Sequence, residues 1–198
     1  MSSSSSSPGA DPALARLGNL AGAWALALSD RVTSAAAAAA GRGGQAPAAL
    51  VALDQFAEGS TIERLSQVLG LTHSAAVRLI DALVVDGHVV RSHRAGDRRS
   101  VALRLTPAGQ ATAQRVARAR AAALQEAITG LSDDQRLALT GLAEQLTADL
   151  AALRLEQRAA GEPPAGGWLC RLCDFRACGR LEGRCPAAAR ARRGWPPR

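Results

Sequence analysis

The chain has no tyrosine, one methionine, two phenylalanines and three tryptophans among its 198 residues. With aromatics at 3%, its apolar share of 47% is mostly Ala, Leu and Val. That composition favours helices packed through small side chains over a β-sandwich, and it is rich enough to build a core of one to two domains. Lysine is also missing: all 24 basic residues are Arg, against 17 acidic ones, for a formal charge of +7. A basic surplus suits a polyanionic partner such as nucleic acid, and equally a solvated basic surface. Long hydrophobic runs are absent too. The tract Ala35 to Ala40 is too short to span a bilayer and is followed by Gly41, Arg42 and Gly43, so no membrane partner is expected. The run Ser2 to Ser7 with Pro8 and Gly9 has no basic segment leading into an apolar one, so residues 1–11 are expected to be a disordered leader of a cytoplasmic protein. No serine–histidine–aspartate set, phosphate loop or carboxylate pair stands out. His73, His88 and His93 are too scattered for a metal site, and the chain is not expected to be an enzyme.

Helical spacing dominates what is present. Leu14, Leu17, Leu20, Ala21, Trp24, Leu28 and Val32 recur every three or four residues, which predicts a long amphipathic helix over 12–40 ended by Gly41. Pro47 opens an apolar helix through Phe56. Ser60 with Glu63 reads as a capping box for a short helix, Thr61 to Val68, stopped by Gly70. Thr72 then caps a second helix from about His73 to Asp86, with Ala76, Leu79, Ile80 and Leu83 on one side. Two short helices around Leu69-Gly70-Leu71-Thr72 make a helix-turn-helix. After Gly87 the pattern alternates on either side of Gly96-Asp97, a β-hairpin that would be the wing. Thr106-Pro107 starts a helix from Ala108 towards Ile128, and Ser132 with Gln135 caps another through about Gln157. The expected fold is therefore mainly α, a winged helix-turn-helix over about 46–106, flanked by long helices at 12–40 and 108–158. A linker over 159–167 leads to a separate tail at 168–198.

The stretch Ile62 to Gly109 resembles MarR-type transcriptional regulators in its Leu69-Gly70-Leu71-Thr72 turn, Arg78-Leu79-Ile80-Asp81-Ala82-Leu83, Asp97-Arg98-Arg99, and Leu105-Thr106-Pro107-Ala108-Gly109. The resemblance implies a homodimer whose first and last long helices interlock, each protomer presenting one winged motif to half of a double-stranded DNA operator. It implies a repressor, and allows a small-molecule effector bound between the dimer helices and the winged domain. A recognition helix in the major groove would place Thr72, His73, Ser74, Ala75, Val77 and Arg78 at base edges. Ala75 and Val77 cannot hydrogen-bond to bases, which shifts the expected readout towards thymine methyls and DNA shape, with Arg78 as the main major-groove contact. At the wing, Asp97 would orient a guanidinium while Arg98 or Arg99, preferably Arg99, enters the minor groove.

All four cysteines lie together as Cys170, Cys173, Cys178 and Cys185, spaced C-x2-C-x4-C-x6-C and followed by Pro186. In a reducing compartment such thiols are metal or redox ligands before they are disulfides. The compact run ending in Cys-Pro is loosely similar to the loops of SoxR-type iron–sulfur regulators. Zinc is the alternative, although only one C-x2-C knuckle is present. The expected function is a redox-sensing or iron–sulfur-sensing DNA-binding regulator. The competing expectations are a ligand-responsive regulator with a structural zinc knot, and a protein-assembly module without an operator.

Overall fold

The computed structural model describes residues 11–94, 97–162 and 166–194, with backbone alone for 93–94, 97–100 and 193–194. Helix α1, Pro12–Ala40, opens where the Asp11 carboxylate accepts the Ala13 N–H at 2.9 Å, and it ends at Gly41 in the left-handed region. It lies along α5, Pro107–Ile128. Between them in sequence, α2, Ala46–Gln55, is buried at every position from Ala46 to Leu53. An eight-residue stretch with no polar side chain can only sit at the centre of a core. Leu65, Val68, Leu69, Ile80, Leu83, Val89, Leu103 and Val116 close around it.

Helices α3, Ile62–Leu69, and α4, His73–Val85, are bent by 106° about their short turn, within the range for a helix-turn-helix. The start of α3 corrects the sequence-based expectation of a Ser60–Glu63 capping box. The Thr61 hydroxyl accepts the Arg64 N–H at 3.2 Å, and the Glu63 carboxylate meets His73 Nδ1 at 3.1 Å instead. The helix starts one residue later than expected, so the hydroxyl three residues before Arg64 is threonine. The other caps lie where expected: Thr72 accepts from Ala75, Thr106 from Gly109, and Ser132 and Gln135 form a reciprocal box.

The wing is an antiparallel pair, β1 Val89–Arg94 and β2 Asp97–Leu105, in the register Val89↔Leu105 to His93↔Val101, with an irregularity at His93/Arg94. Its base is tied to the core, because Gly59 N–H donates to the Leu103 carbonyl and Leu103 N–H to the Ser60 carbonyl, both at 2.9 Å. Helix α6, Asp133–Ala159, follows α5.

Beyond 166 the chain packs back onto the molecule. A 3₁₀ turn at Leu169–Leu172 lies on α2, and α7, Pro186–Gly194, lies on α6. Trp168 N–H donates to the Val68 carbonyl at 2.7 Å, and Phe175 N–H to Gln55 Oε1 at 3.0 Å. Phe56 stacks with both Trp168 and Phe175, at 5.8 and 5.2 Å between ring centroids. The backbones also touch. A Cβ on Gly70 would lie 2.5 Å from Gly167 N, and one on Gly167 would lie 2.3 Å from the Val68 carbonyl oxygen. Neither position has room for a side chain.

Candidate nucleic-acid interface and the cysteine tail

The residues expected to face DNA gather at the start of α4, but they differ in availability. Thr72, His73, Ser74 and Arg78 are exposed, whereas Ala75 and Val77 are half-buried in the protomer. Thr72 uses its hydroxyl as the helix cap and lies 3.3 Å from Ser74 Oγ. His73 is held by Glu63 across the turn, and its side chain stays 63% exposed. Among the described residues Arg78 has no carboxylate partner. Its guanidinium is thus the least committed donor on the reading face, and Arg suits bidentate hydrogen bonding to guanine. Asp97, Arg98 and Arg99 stand at the start of β2, and their side chains lie outside the described residues.

Ion pairs not foreseen from the sequence brace this unit. Arg91 on β1 donates to Asp81 on α4 at 2.7 Å, tying the wing to the recognition helix. Arg42, just after α1, forks onto Asp86 with bonds of 2.7 and 3.0 Å. The hydrogen bond from Arg42 holds the Asp86 carboxyl below its ordinary range. Arg104 on β2 reaches Glu58 at 2.9 Å. Charge pattern alone could not have revealed them, since the partners lie 10 to 46 residues apart.

In the tail, Cys185 is buried with Ala151, Ala187 and Ala188, and Leu169, Cys170 and Cys178 pack against that cluster. All four thiols are free. The pairing of Cys170 with the neighbouring Cys173 thiol lowers the Cys170 pKa and raises that of Cys173. Burial, and after it the neighbouring Cys185, push Cys178 up. Even so, no three or more His, Cys, Asp or Glu among the described residues are arranged to hold a metal ion. Any ion or cluster would require the thiols to be arranged differently from this structure.

Two short helices at a steep angle, an exposed N-terminal face on the second and a β-hairpin behind them define a winged helix-turn-helix protein. Residues 40–100 match the sequence model of the MarR family, and the fold is the MarR winged-helix fold. A MarR family protein from Bacillus stearothermophilus is similar with a TM-score of 0.61 at 22% identity, over 70% of this chain and 95% of that one. The YusO protein from Bacillus subtilis gives 0.60 at 18%, over 70% and 97%. The Mycobacterium tuberculosis MarR family protein Rv2887, solved in complex with DNA, gives 0.53 at 23%, over 66% and 96%. No curated protein matches the chain. The family match ends well before Cys170, so it assigns the tail nothing. No single helix among the described residues is long and apolar enough to cross a membrane.

Proposed function

We propose that the chain is a MarR-type DNA-binding transcriptional regulator acting as a homodimeric repressor, with the four-cysteine tail as its sensory element. The observation that carries the DNA-binding reading is the exposed start of α4, set at 106° to α3 within the stretch that matches the family model. Likeness to a structure of a DNA complex supports it. A homodimer would cover two apolar stripes that a lone protomer leaves in water: Leu14, Leu17, Leu20 and Trp24 on α1, and Leu142, Leu146, Leu150 and Leu153 on α6. Stripes of that length at helical spacing favour a second helix over solvent.

In this reading Arg78 and the base-facing residues Thr72, His73, Ser74, Ala75 and Val77 enter the major groove. Asp97, Arg98 and Arg99 serve the minor groove. Gel-shift titration against duplexes from the chain's own promoter region tests it. Arg78→Ala is expected to weaken specific binding by about 1–3 kcal/mol and relax sequence preference at one position. Arg99→Ala is expected to weaken binding to narrow-groove sequences most. Binding that is weak, salt-sensitive and indifferent to sequence would replace this reading with the assembly module.

For the tail, an iron–sulfur cluster on Cys170, Cys173, Cys178 and Cys185 is the occupant favoured by the C-x2-C-x4-C-x6-C-P spacing. Its loss or oxidation would alter a segment that is hydrogen-bonded to α3 and stacked on Phe56. Metal and acid-labile sulfide analysis of protein purified without oxygen decides the matter. Iron with sulfide supports the sensor, one zinc per chain replaces it with a structural knot, and neither metal removes the tail from any metal chemistry.

A further inference from the structure

The positive charge of this chain sits where the family match does not reach. Residues 46–106, the winged unit, hold seven arginines against six acidic residues, a net charge of +1. Residues 168–198 hold eight arginines against two acidic residues, so +6 of the formal +7 belongs to the tail. Proteins gain most of their sequence-independent affinity for duplex DNA by neutralising its phosphates, and a nearly neutral reading unit has few cations to spare for them.

The fold brings the two regions together. One cleft has α3 and the start of α4 along one side and α6 with the tail along the other. Arg180 and, on α7, Arg192 share its lining with Thr72 and His73 of the reading face, and with Arg64, Arg154 and Arg158. The one carboxylate there, Glu63, is taken by His73. Among the described residues none of these five arginines forms an ion pair. Arg180 lies over the Phe175 ring at 4.5 Å from its centroid, and Arg192 donates to the Gly183 carbonyl at 3.2 Å. Neither contact neutralises a guanidinium. Partial burial, and after it the nearby Arg154 and Arg64, makes the Arg158 proton less firmly held than usual. The tail is also fixed in place, by the Trp168 N–H on the Val68 carbonyl and by α7 against α6. Its cations are held beside the recognition helix, where a polyanion alongside would relieve their mutual repulsion.

Resting on the DNA-binding reading proposed above, we infer that the tail is a second DNA-contact element. Arg180 and Arg192 pair with backbone phosphates of the same duplex whose bases the start of α4 reads. Guanidiniums suit phosphate oxygens because they offer two parallel hydrogen bonds together with the charge. Such contacts carry no base information, so the tail adds affinity and orientation but no sequence preference. The surface lies outside the winged motif, in the part of the chain to which the family match assigns nothing.

The test titrates the full chain onto a promoter duplex and onto a scrambled duplex of the same length, between about 50 and 200 mM salt, and reads the slope of log affinity against log salt. Arg180→Gln and Arg192→Gln should each lower that slope by about 0.9 per protomer bound, shrinking the affinity lost across this salt range about 3.5-fold. Both duplexes should be weakened by the same factor. Arg192→Lys should restore most of the slope, because lysine still meets phosphate as a point charge. Arg136→Gln removes an equal charge about 27 Å along α6 from Arg154, where Arg136 pairs with Asp133, and should change neither slope nor affinity. If the Arg180 variant, which loses its place over Phe175, fails to fold by circular dichroism, Arg192 carries the comparison. Parental slopes in the tail variants would overturn the inference. A loss confined to the promoter duplex would overturn it by placing the tail among base contacts, and tighter binding by the variants would do so by making the tail an obstacle to DNA. A parent that binds both duplexes alike, with lower slopes in the variants, would end the operator reading and leave the tail contact standing. A parent that binds neither duplex would end both.

Discussion

The reading unit and the tail are both small, and they are held in opposite ways. From α2 to β2 the chain is fastened by aliphatic side chains that vanish from solvent, with Leu50, Leu65, Ile80 and Leu103 all fully buried. The tail has only a small core of its own, where Cys185, Ala187 and Ala188 pack on Ala151 of α6. Towards α2 and α3 it is fastened by one backbone hydrogen bond, one from the Phe175 N–H to the Gln55 side chain, one aromatic stack and two glycines that let main chains meet. The chain has five aromatic residues in all, and Phe56, Trp168 and Phe175 form one stack at this junction. Aromatics so scarce elsewhere therefore do a specific job: they join the tail to α2. The two regions should then lose their structure separately, the tail first.

The largest expected effect falls on the reading unit. Ile80→Ala empties space at the centre of the core and should cost about 2–5 kcal/mol, read as a large drop in the thermal midpoint of the whole chain. Next comes the tail anchor. Trp168→Ala removes a stacked pair worth about 0.5–1.5 kcal/mol beyond its buried area. It should raise cleavage in 159–170 by limited proteolysis about tenfold, with the main unfolding transition little changed. If both variants lower the same single transition equally, the regions are one cooperative unit and the contrast is wrong.

A smaller effect sharpens the correction at α3. Thr61→Ala should cost about 1 kcal/mol as a lost cap, and Ser60→Ala only a few tenths, measured by urea denaturation. The reverse order would restore Ser60 as the cap. Smallest is the pH effect at Arg42 and Asp86. The Asp86 carboxyl titrates lower in the folded protein than unfolded. Its contribution is therefore present above the unfolded carboxylate range near pH 4 and fades as pH falls through the folded value. The stability gap between parent and Arg42→Ala should be steady from about pH 7 to 5 and close towards pH 3. A gap that widens on acidification would refute the assignment.

The helices, caps and wing were legible because each rests on local chemistry: Thr72, Thr106 and Ser132 declare helix starts, and alternation after Gly87 declares strands. The one-residue slip at Ser60 and Thr61 arose because two hydroxyls stand side by side and only packing chooses between them. The tail's position was not legible. Nothing near Trp168 or Phe175 names Phe56 as their partner, and Gly167 reads as linker until Val68 is beside it. The braces Arg91–Asp81 and Arg42–Asp86 were hidden for the same reason. The arginine cleft needs α3, α6 and the tail together, so no single segment could announce it.

The bond from Phe175 to Gln55 closes a loop of 120 residues, and that has a kinetic consequence. Closing so long a loop is entropically disfavoured until α2 and α3 already exist as a surface to dock on. The tail should therefore be the last segment to seat after refolding begins. As the residue that lands on Phe56, Trp168 should report the event as a late change in fluorescence after the helical signal has already been regained.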